Sequence, residues 1–280
     1  MDIALHDSTP FFINSIIIDK KKLKLPRTLT KQQLDAFTVG IIDGDGSLQV
    51  NHWRSKILQF RLVVKLSDKP LNYEMLCLLA KTYGGYVKRV KCKKDEYVQW
   101  VINDQKTFHR TILPLLTEYP PLTSRMRLQF EFFKKYILNP DIELYFKERD
   151  HKYLNRNSII PLFSTSPAYF PEWLAGFIES EGSFSSRTRG NYSFSIAQNH
   201  DYYLIEAIRN YYSLQHLTIL SKTGKISGFP LYEFSVGSAF GTGRVIDHCT
   251  PLLQGYKYYQ LALFVKNSKA FQDRVTEFFF

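Results

Sequence analysis

Thr38-Val39-Gly40-Ile41-Ile42-Asp43-Gly44-Asp45-Gly46 is a short apolar helical run that closes on two acids separated by one small residue. Leu174-Ala175-Gly176-Phe177-Ile178-Glu179-Ser180-Glu181-Gly182 repeats the plan 136 residues later (181 − 45), and a serine follows the last glycine in both copies. That glycine ends each helix, a role suited to a residue that tolerates positive φ. Gly40 and Gly44 stand four apart, as do Gly176 and Ser180, so each helix offers a face of small residues to a second backbone. Two helices meeting along those faces would set Asp45 beside Glu181. Each acid would then lie at a helix C-terminus, where the dipole disfavours negative charge by roughly a few tenths of a kcal/mol. A divalent cation is the simplest compensating charge. The plain alternative, a tight core contact with two exposed acids, leaves the recurrence of the acid unexplained.

Working outward, Thr30-Lys31-Gln32-Gln33 is a capping-box pattern that starts the first helix, which should run to about Asp43. Pro171 suits the first turn of the second. Strand-like alternation follows each motif: Ser47–Trp53, Leu58–Leu66 and Tyr97–Ile102, then Ser183–Arg187, Ser193–Ala197, Leu217–Leu220 and Leu231–Val236. Leu48 and Val50 share one face, with Gln49, Asn51 and Trp53 on the other. Helices are predicted over Pro70–Tyr83, Thr107–Leu116, Arg125–Ile137, Asp201–Tyr212, Gly241–Asp247 and Lys257–Lys269, with a basic loop at Lys88 to Lys94 that looks like a phosphate-contacting hairpin. The order α-β-β-α-β-β-α-α occurs twice, which marks an internal repeat. The chain divides into an N-terminal extension (1–28), a first half (29–154), a Pro/Ser-rich linker (155–167) and a second half (168–280). Asp43 and Glu179, two residues before the key acids, point elsewhere on their helices and suit structural roles.

The 280 residues carry a formal charge of +11 and a pI near 9.4, which calls for a polyanionic partner without choosing among DNA, RNA and lipid. With 44% apolar residues the chain can bury a core. Cys77, Cys92 and Cys249 are too few and too scattered for a disulfide framework or zinc site. The apolar N-terminus follows Asp2 and Asp7 and has no cleavage pattern, so it does not read as a signal peptide. No apolar run reaches the ~18 residues of a membrane span, and no partner membrane is expected.

Both nine-residue blocks resemble the LAGLIDADG motif, with Thr38 and Val39 where the family has Leu and Ala, and the chain resembles single-chain homing endonucleases over about residues 30–272. The resemblance implies an α+β fold of two pseudo-symmetric αββαββα halves whose antiparallel sheets form a DNA-binding saddle. It implies a metal-dependent double-strand break with 3′ overhangs in a long asymmetric site, by a monomer acting on double-stranded DNA in intron homing. Mg²⁺ is the implied cofactor, with Mn²⁺ or Ca²⁺ able to occupy the sites and Ca²⁺ giving no turnover. The residues carried over are Asp45 and Glu181 as catalytic and metal-binding acids, helped by the carbonyls of Gly44 and Ser180. Gln198, Lys257 and Arg125 complete the catalytic set, and Leu66 stands where the first half would carry its glutamine.

Candidate DNA contacts are Gln49, Asn51, Trp53, Lys56, Gln59, Arg61, Lys65, Lys88 and Arg89 in the first half. In the second they are Ser185, Arg187, Arg189, Asn191, Ser193, Ser195, Lys222 and Lys225. Side chains of these types match base edges or phosphates. Family resemblance also implies a mitochondrion or other organelle. Two rivals stand beside this reading: a maturase binding intron RNA through basic helix faces such as Lys134-Lys135 and Lys147 to Arg149, and a DNA-binding module without catalysis. A glycosidase using the same acid pair would want a cleft unlike that of a +11 chain.

Overall fold

Thr30 opens the first helix with the anticipated reciprocal cap: its hydroxyl accepts from the Gln33 amide while the Gln33 side chain accepts from the Thr30 amide. The helix, α1 (Lys31–Asp45), is buried continuously from Leu34 to Asp43, so it lies inside the molecule. It continues to Asp45, two residues past the expected end. The computed structural model describes residues 23–92, 95–156, 166–186, 192–223 and 228–271.

After α1 come β1 (Gly46–Trp53), β2 (Ile57–Ser67), α2 (Pro70–Tyr83), β3 (Tyr86–Cys92) and β4 (Asp95–Ile102). These strands make a sheet in the order β1-β2-β4-β3, all antiparallel. Short α3 (Gln105–Thr107), a π-helical turn at Phe108–Ile112, and α4 (Leu113–Glu118) lead to α5 (Ser124–Leu138) and α6 (Ile142–Glu148). The second half repeats the plan with α7 (Phe170–Glu181), β5 (Ser183–Ser186), β6 (Tyr192–Asn199), α8 (Tyr202–Tyr211), β7 (Leu220–Thr223), β8 (Pro230–Val236), α9 (Ala239–Cys249) and α10 (Tyr256–Asn267). Its sheet order, β5-β6-β8-β7, is the same. The mixed α+β architecture of two similar halves is thus the one anticipated.

Each sheet buries one face. Leu48, Phe60, Leu62, Val64, Leu66, Val98, Trp100 and Ile102 turn inward in the first, and Phe194, Ile196, Phe234 and Val236 in the second. The paired residues Gln49/Arg61, Asn51/Gln59 and Lys65/Gln99 occupy the opposite, open face.

Four local expectations need correction. Gly46 (φ −84) and Gly182 (φ −71) are extended rather than left-handed. Their lack of a side chain matters because a Cβ would lie 2.3 Å from the Ile42 carbonyl oxygen in one and 2.7 Å from that of Ile178 in the other. The Lys88–Lys94 segment belongs to a hairpin, as expected, but up to Cys92 it is edge strand β3 paired with β4 rather than loop, and Lys93 and Lys94 lie outside the described residues. Strand β7 begins at Leu220, because 213–219 is wound into turns, with Ser213 at φ 54 and the Leu217 amide bonded to the Leu214 carbonyl. The helix expected over Thr107–Leu116 is broken into pieces just before Pro114, whose ring removes an amide donor and loosens the ladder.

Helices α1 and α7 meet in backbone-to-backbone contact. A Cβ on Gly40 would lie 2.0 Å from the Trp173 carbonyl oxygen, and one on Gly176 would lie 1.9 Å from that of Phe37. Neither oxygen can move without moving its helix. Gly176→Ala should therefore destabilise the protein by more than about 3 kcal/mol, read by chemical denaturation. Gly237→Ala, whose Cβ would meet its nearest atom at 3.2 Å, should cost much less.

Candidate active site

The close approach of α1 and α7 places their C-terminal acids together. At Gly44 a Cβ would sit 2.3 Å from Ser180 Cβ and 3.4 Å from Glu181 Cγ, so the motif's small residue is where the two helix ends touch. Asp45 is half-buried and Glu181 is exposed. Burial and the neighbouring Glu181 charge push the Asp45 carboxyl up to about 7, against a hydrogen bond from Ser180 and the charges of Arg125 and Lys257. The packed helix ends also raise Glu181, with Arg125 and Lys257 opposing. Two acids and two cations share the centre.

Arg125 reaches the site from α5. Its Nη1 donates to the Gly46 carbonyl (2.8 Å), and its Nη2 donates to those of Asp43 (2.6 Å) and Gly44 (3.0 Å). The guanidinium thus caps α1's C-terminus and supplies the positive charge that the sequence alone seemed to ask of a cation. The carbonyl of Gly44, a candidate metal ligand, is already an acceptor of this group. The Ser180 hydroxyl faces Asp45 and lies 3.5 Å from the Ile41 carbonyl. Lys257, from α10, is its counterpart. Burial lowers its ammonium, and Glu179, Asp45 and Glu181 hold it up.

Asp43 and Glu179 anchor the helices that carry those cations. Asp43 is fully buried and accepts from the amides of Leu122 (2.6 Å) and Thr123 (3.2 Å), from the Thr123 hydroxyl (2.6 Å) and from Trp173 Nε1 (2.8 Å). Burial still pushes it up to about 6. Glu179 accepts from the Lys257 amide at 2.7 Å. Each acid therefore sits at the N-terminus of the last long helix of its own half, where the dipole favours it. The halves differ in two side-chain donors: Gly255 stands at the helix cap where Thr123 gives its hydroxyl, and the Trp173 indole has no counterpart. Phe37 occupies the position equivalent to Trp173 (37 + 136 = 173), and Glu179 Oε2 is buried with no partner among the described residues. Burial raises Glu179 as well.

The remaining expected site residues are dispersed. Gln198 pairs with Tyr232 near the end of β6 and shares the inward parity of Phe194 and Ile196. Among the described residues no hydrogen bond joins it to Asp45 or Glu181. Leu66, its counterpart, is 7% exposed and part of the core; a glutamine there would bury an unpaired amide. Gln49, Asn51, Gln59, Arg61, Lys65 and Lys88 share the open face of the first sheet, with Trp53 and Lys56 at its hairpin tip. Arg89 does not. It pairs with buried Val98, so it points to the helix side, bonded to Asp68 (3.0 Å) and lying 4.0 Å over the Tyr73 ring. Ser185, Ser193 and Ser195 share the open face of the second sheet with Lys222, whose charge is met by Glu233 at 2.5 Å. Arg187, Arg189, Asn191 and Lys225 lie outside the described residues. Sequence reasoning missed Thr123 and Trp173 as partners of Asp43; only folding brings them within reach.

The family model for LAGLIDADG endonucleases matches residues 38–137. A probable intron-encoded endonuclease of Dictyostelium citrinum is 37% identical over 67% of this chain and 78% of its own length. One of Debaryomyces hansenii is 34% identical over 84% of this chain, which spans only 38% of that relative. Among solved structures, the meganuclease I-AabMI bound to uncleaved DNA superposes with a TM-score of 0.58, at 19% identity, over 87% of this chain and 97% of its own. I-SmaMI, bound to an uncleaved DNA target in the presence of calcium ions, gives 0.61 at 16% identity over 90% of this chain and 98% of its own.

Asp45 yields a pH prediction. Its folded value lies above the ordinary 3.8, so the folded chain holds a proton that the unfolded chain has released. Stability of the metal-free protein is therefore highest below about pH 4 in this group's contribution and is lost as pH rises to about 7. Asp45→Asn removes the effect. Wild type should lose on the order of 2 kcal/mol relative to Asp45→Asn between pH 4.5 and 7.5, the partial exposure of Asp45 discounting the full shift. Paired chemical-denaturation series in EDTA read the difference.

Proposed function

The chain belongs to the LAGLIDADG endonuclease family, and we propose that it is a site-specific DNA endonuclease that makes a double-strand break in a long asymmetric target. The observation that carries the reading is the meeting of Asp45 and Glu181 at two helix ends, flanked by Arg125 and Lys257. Like charges so placed resist joint ionisation, a cost that suits a centre binding a divalent cation more than an inert surface.

Among the described residues no group of three or more His, Cys, Asp or Glu side chains converges. Two carboxylates with backbone carbonyls nearby fit Mg²⁺, which completes its shell with water and substrate phosphates. Asp45 and Glu181 would hold it. When bound, such a cation supplies charge neutralisation at phosphorus and an acidified water.

The protein's own groups do the rest. The open faces of the two sheets meet the duplex through Gln49, Asn51, Gln59, Arg61, Lys65 and Lys88 on one side and Ser185, Ser193 and Ser195 on the other. Because these faces share almost no side chain, recognition is asymmetric. Lys257 Nζ is a group able to exchange a proton with an attacking water. Arg125 cannot, so the two strands are cut at different rates. The organellar setting, intron homing and 3′ overhangs are part of the same proposal and rest on the family, as does the monomeric state.

Cleavage of a randomised-site duplex library with Mg²⁺ tests the reading. A discrete cut site with wild type, lost by at least about 100-fold in Asp45→Asn and Glu181→Gln while gel-shift affinity stays within a few-fold, is the expected result. Undiminished cutting by either variant would reject the shared-carboxylate centre. Absence of cutting together with tight binding to a structured intron RNA would favour the maturase reading.

A further inference from the structure

The helices that deliver Arg125 and Lys257 are each held at their first turn by a residue of the opposite half. In the first half, the Ser124 amide donates to Asp201 at 2.9 Å, and the Ser124 hydroxyl also donates to Asp201 through a short hydrogen bond. Asp201 is 1% exposed and stands just before α8, yet its side chain does not cap its own helix. In the second half, the Tyr256 amide donates to the Asn72 side-chain oxygen at 2.8 Å. Asn72, in the first turn of α2, is 7% exposed and fixed in orientation because its Nδ2 donates to the Ser67 carbonyl at 3.0 Å. Helices α2 and α8 hold equivalent places in the repeat. The contact is therefore reciprocal, although an amide does in one half what a carboxylate does in the other.

We propose that Asn72 and Asp201 are crossed positioning residues: Asn72 of the first half sets Lys257 of the second, and Asp201 of the second half sets Arg125 of the first. The two cations follow their anchored residues by one position, Tyr256 to Lys257 and Ser124 to Arg125. First-turn amides lack intrahelical acceptors, so a buried acceptor supplied from across the interface fixes both the start and the rotation of the helix. From within each half, Asp43 holds the amide of the Thr123 cap and Glu179 the first-turn amide of Lys257. Each cation consequently hangs from a clamp with one jaw in each half. A shift of one half relative to the other would misplace both cations, so neither strand's site is complete unless the halves are seated.

The inference rests on the endonuclease reading, and two readouts separate them. The first is amide hydrogen exchange in the DNA-free protein, and the second is strand-specific nicking of an end-labelled target duplex. Asn72→Ala should speed exchange at Tyr256 by about tenfold or more and slow cutting of one strand by a similar factor, with the other changed less than about twofold. Asp201→Ala should do the same at Ser124 and on the opposite strand. Asp201→Asn keeps an acceptor and should recover much of the loss, and it serves where the alanine variant fails to fold. Equal slowing of both strands by both variants would reduce the residues to general stability and overturn the proposal. Unchanged exchange at both amides would overturn it too, whether or not the wild type cuts. A wild type that never cuts, with exchange responding as expected, would remove the endonuclease reading and leave the crossed anchoring supported.

Discussion

Everything in this molecule depends on two helices being allowed to touch. Gly40 and Gly176 bring the α1 and α7 backbones so near that a single added methyl would overlap a carbonyl oxygen. At that separation the last turns converge, Gly44 against Ser180, and Asp45 comes within the electrostatic reach of Glu181. The sheets then extend outward from the helix ends, because β1 and β5 begin within a residue or two of the final acid. One steric permission fixes the acid pair and the starting edges of both sheets.

Electrostatics then limits what can surround the pair. Two carboxylates at two negative helix ends would repel, and each half answers with a cation carried on its last long helix. The answers are unequal. Arg125 is committed to three backbone carbonyls as a cap, whereas burial lowers the Lys257 ammonium and three acids oppose that shift. The anchoring acids differ in parallel: Asp43 has the Trp173 indole as a fourth donor, and Glu179, with Phe37 at the equivalent sequence position, keeps an oxygen without a partner among the described residues. A duplicated plan has drifted into two non-identical sites around one axis, which suits an asymmetric substrate.

Much of this was legible in the sequence, for stated physical reasons. Periodicity gave α2 its observed ends, and the capping box gave α1 its start. The small residues four apart implied the close helix contact, and the offset position of Asp43 and Glu179 pointed to structural roles. What stayed hidden required the third dimension. Arg89 was grouped with Lys88 because the segment was read as a loop; once it is a strand, neighbours must face opposite ways. Leu66 was read as a vacated polar position, but its strand parity places it in the core. The sequence also does not reveal that Arg125, 80 residues beyond Asp45 (125 − 45), folds back to cap α1, so that part of the compensating charge is the protein's own. Asn72 and Asp201 gave no signal at all, since each acts only through the opposite half.

The most direct test of the account is anomalous diffraction from crystals of the full chain soaked in Mn²⁺. The account predicts a peak between the carboxylates of Asp45 and Glu181, with Arg125 still on the carbonyls that end α1. A peak elsewhere, or carboxylates that part with no ion between them, would contradict the claim that the two helix ends are built around a shared cation.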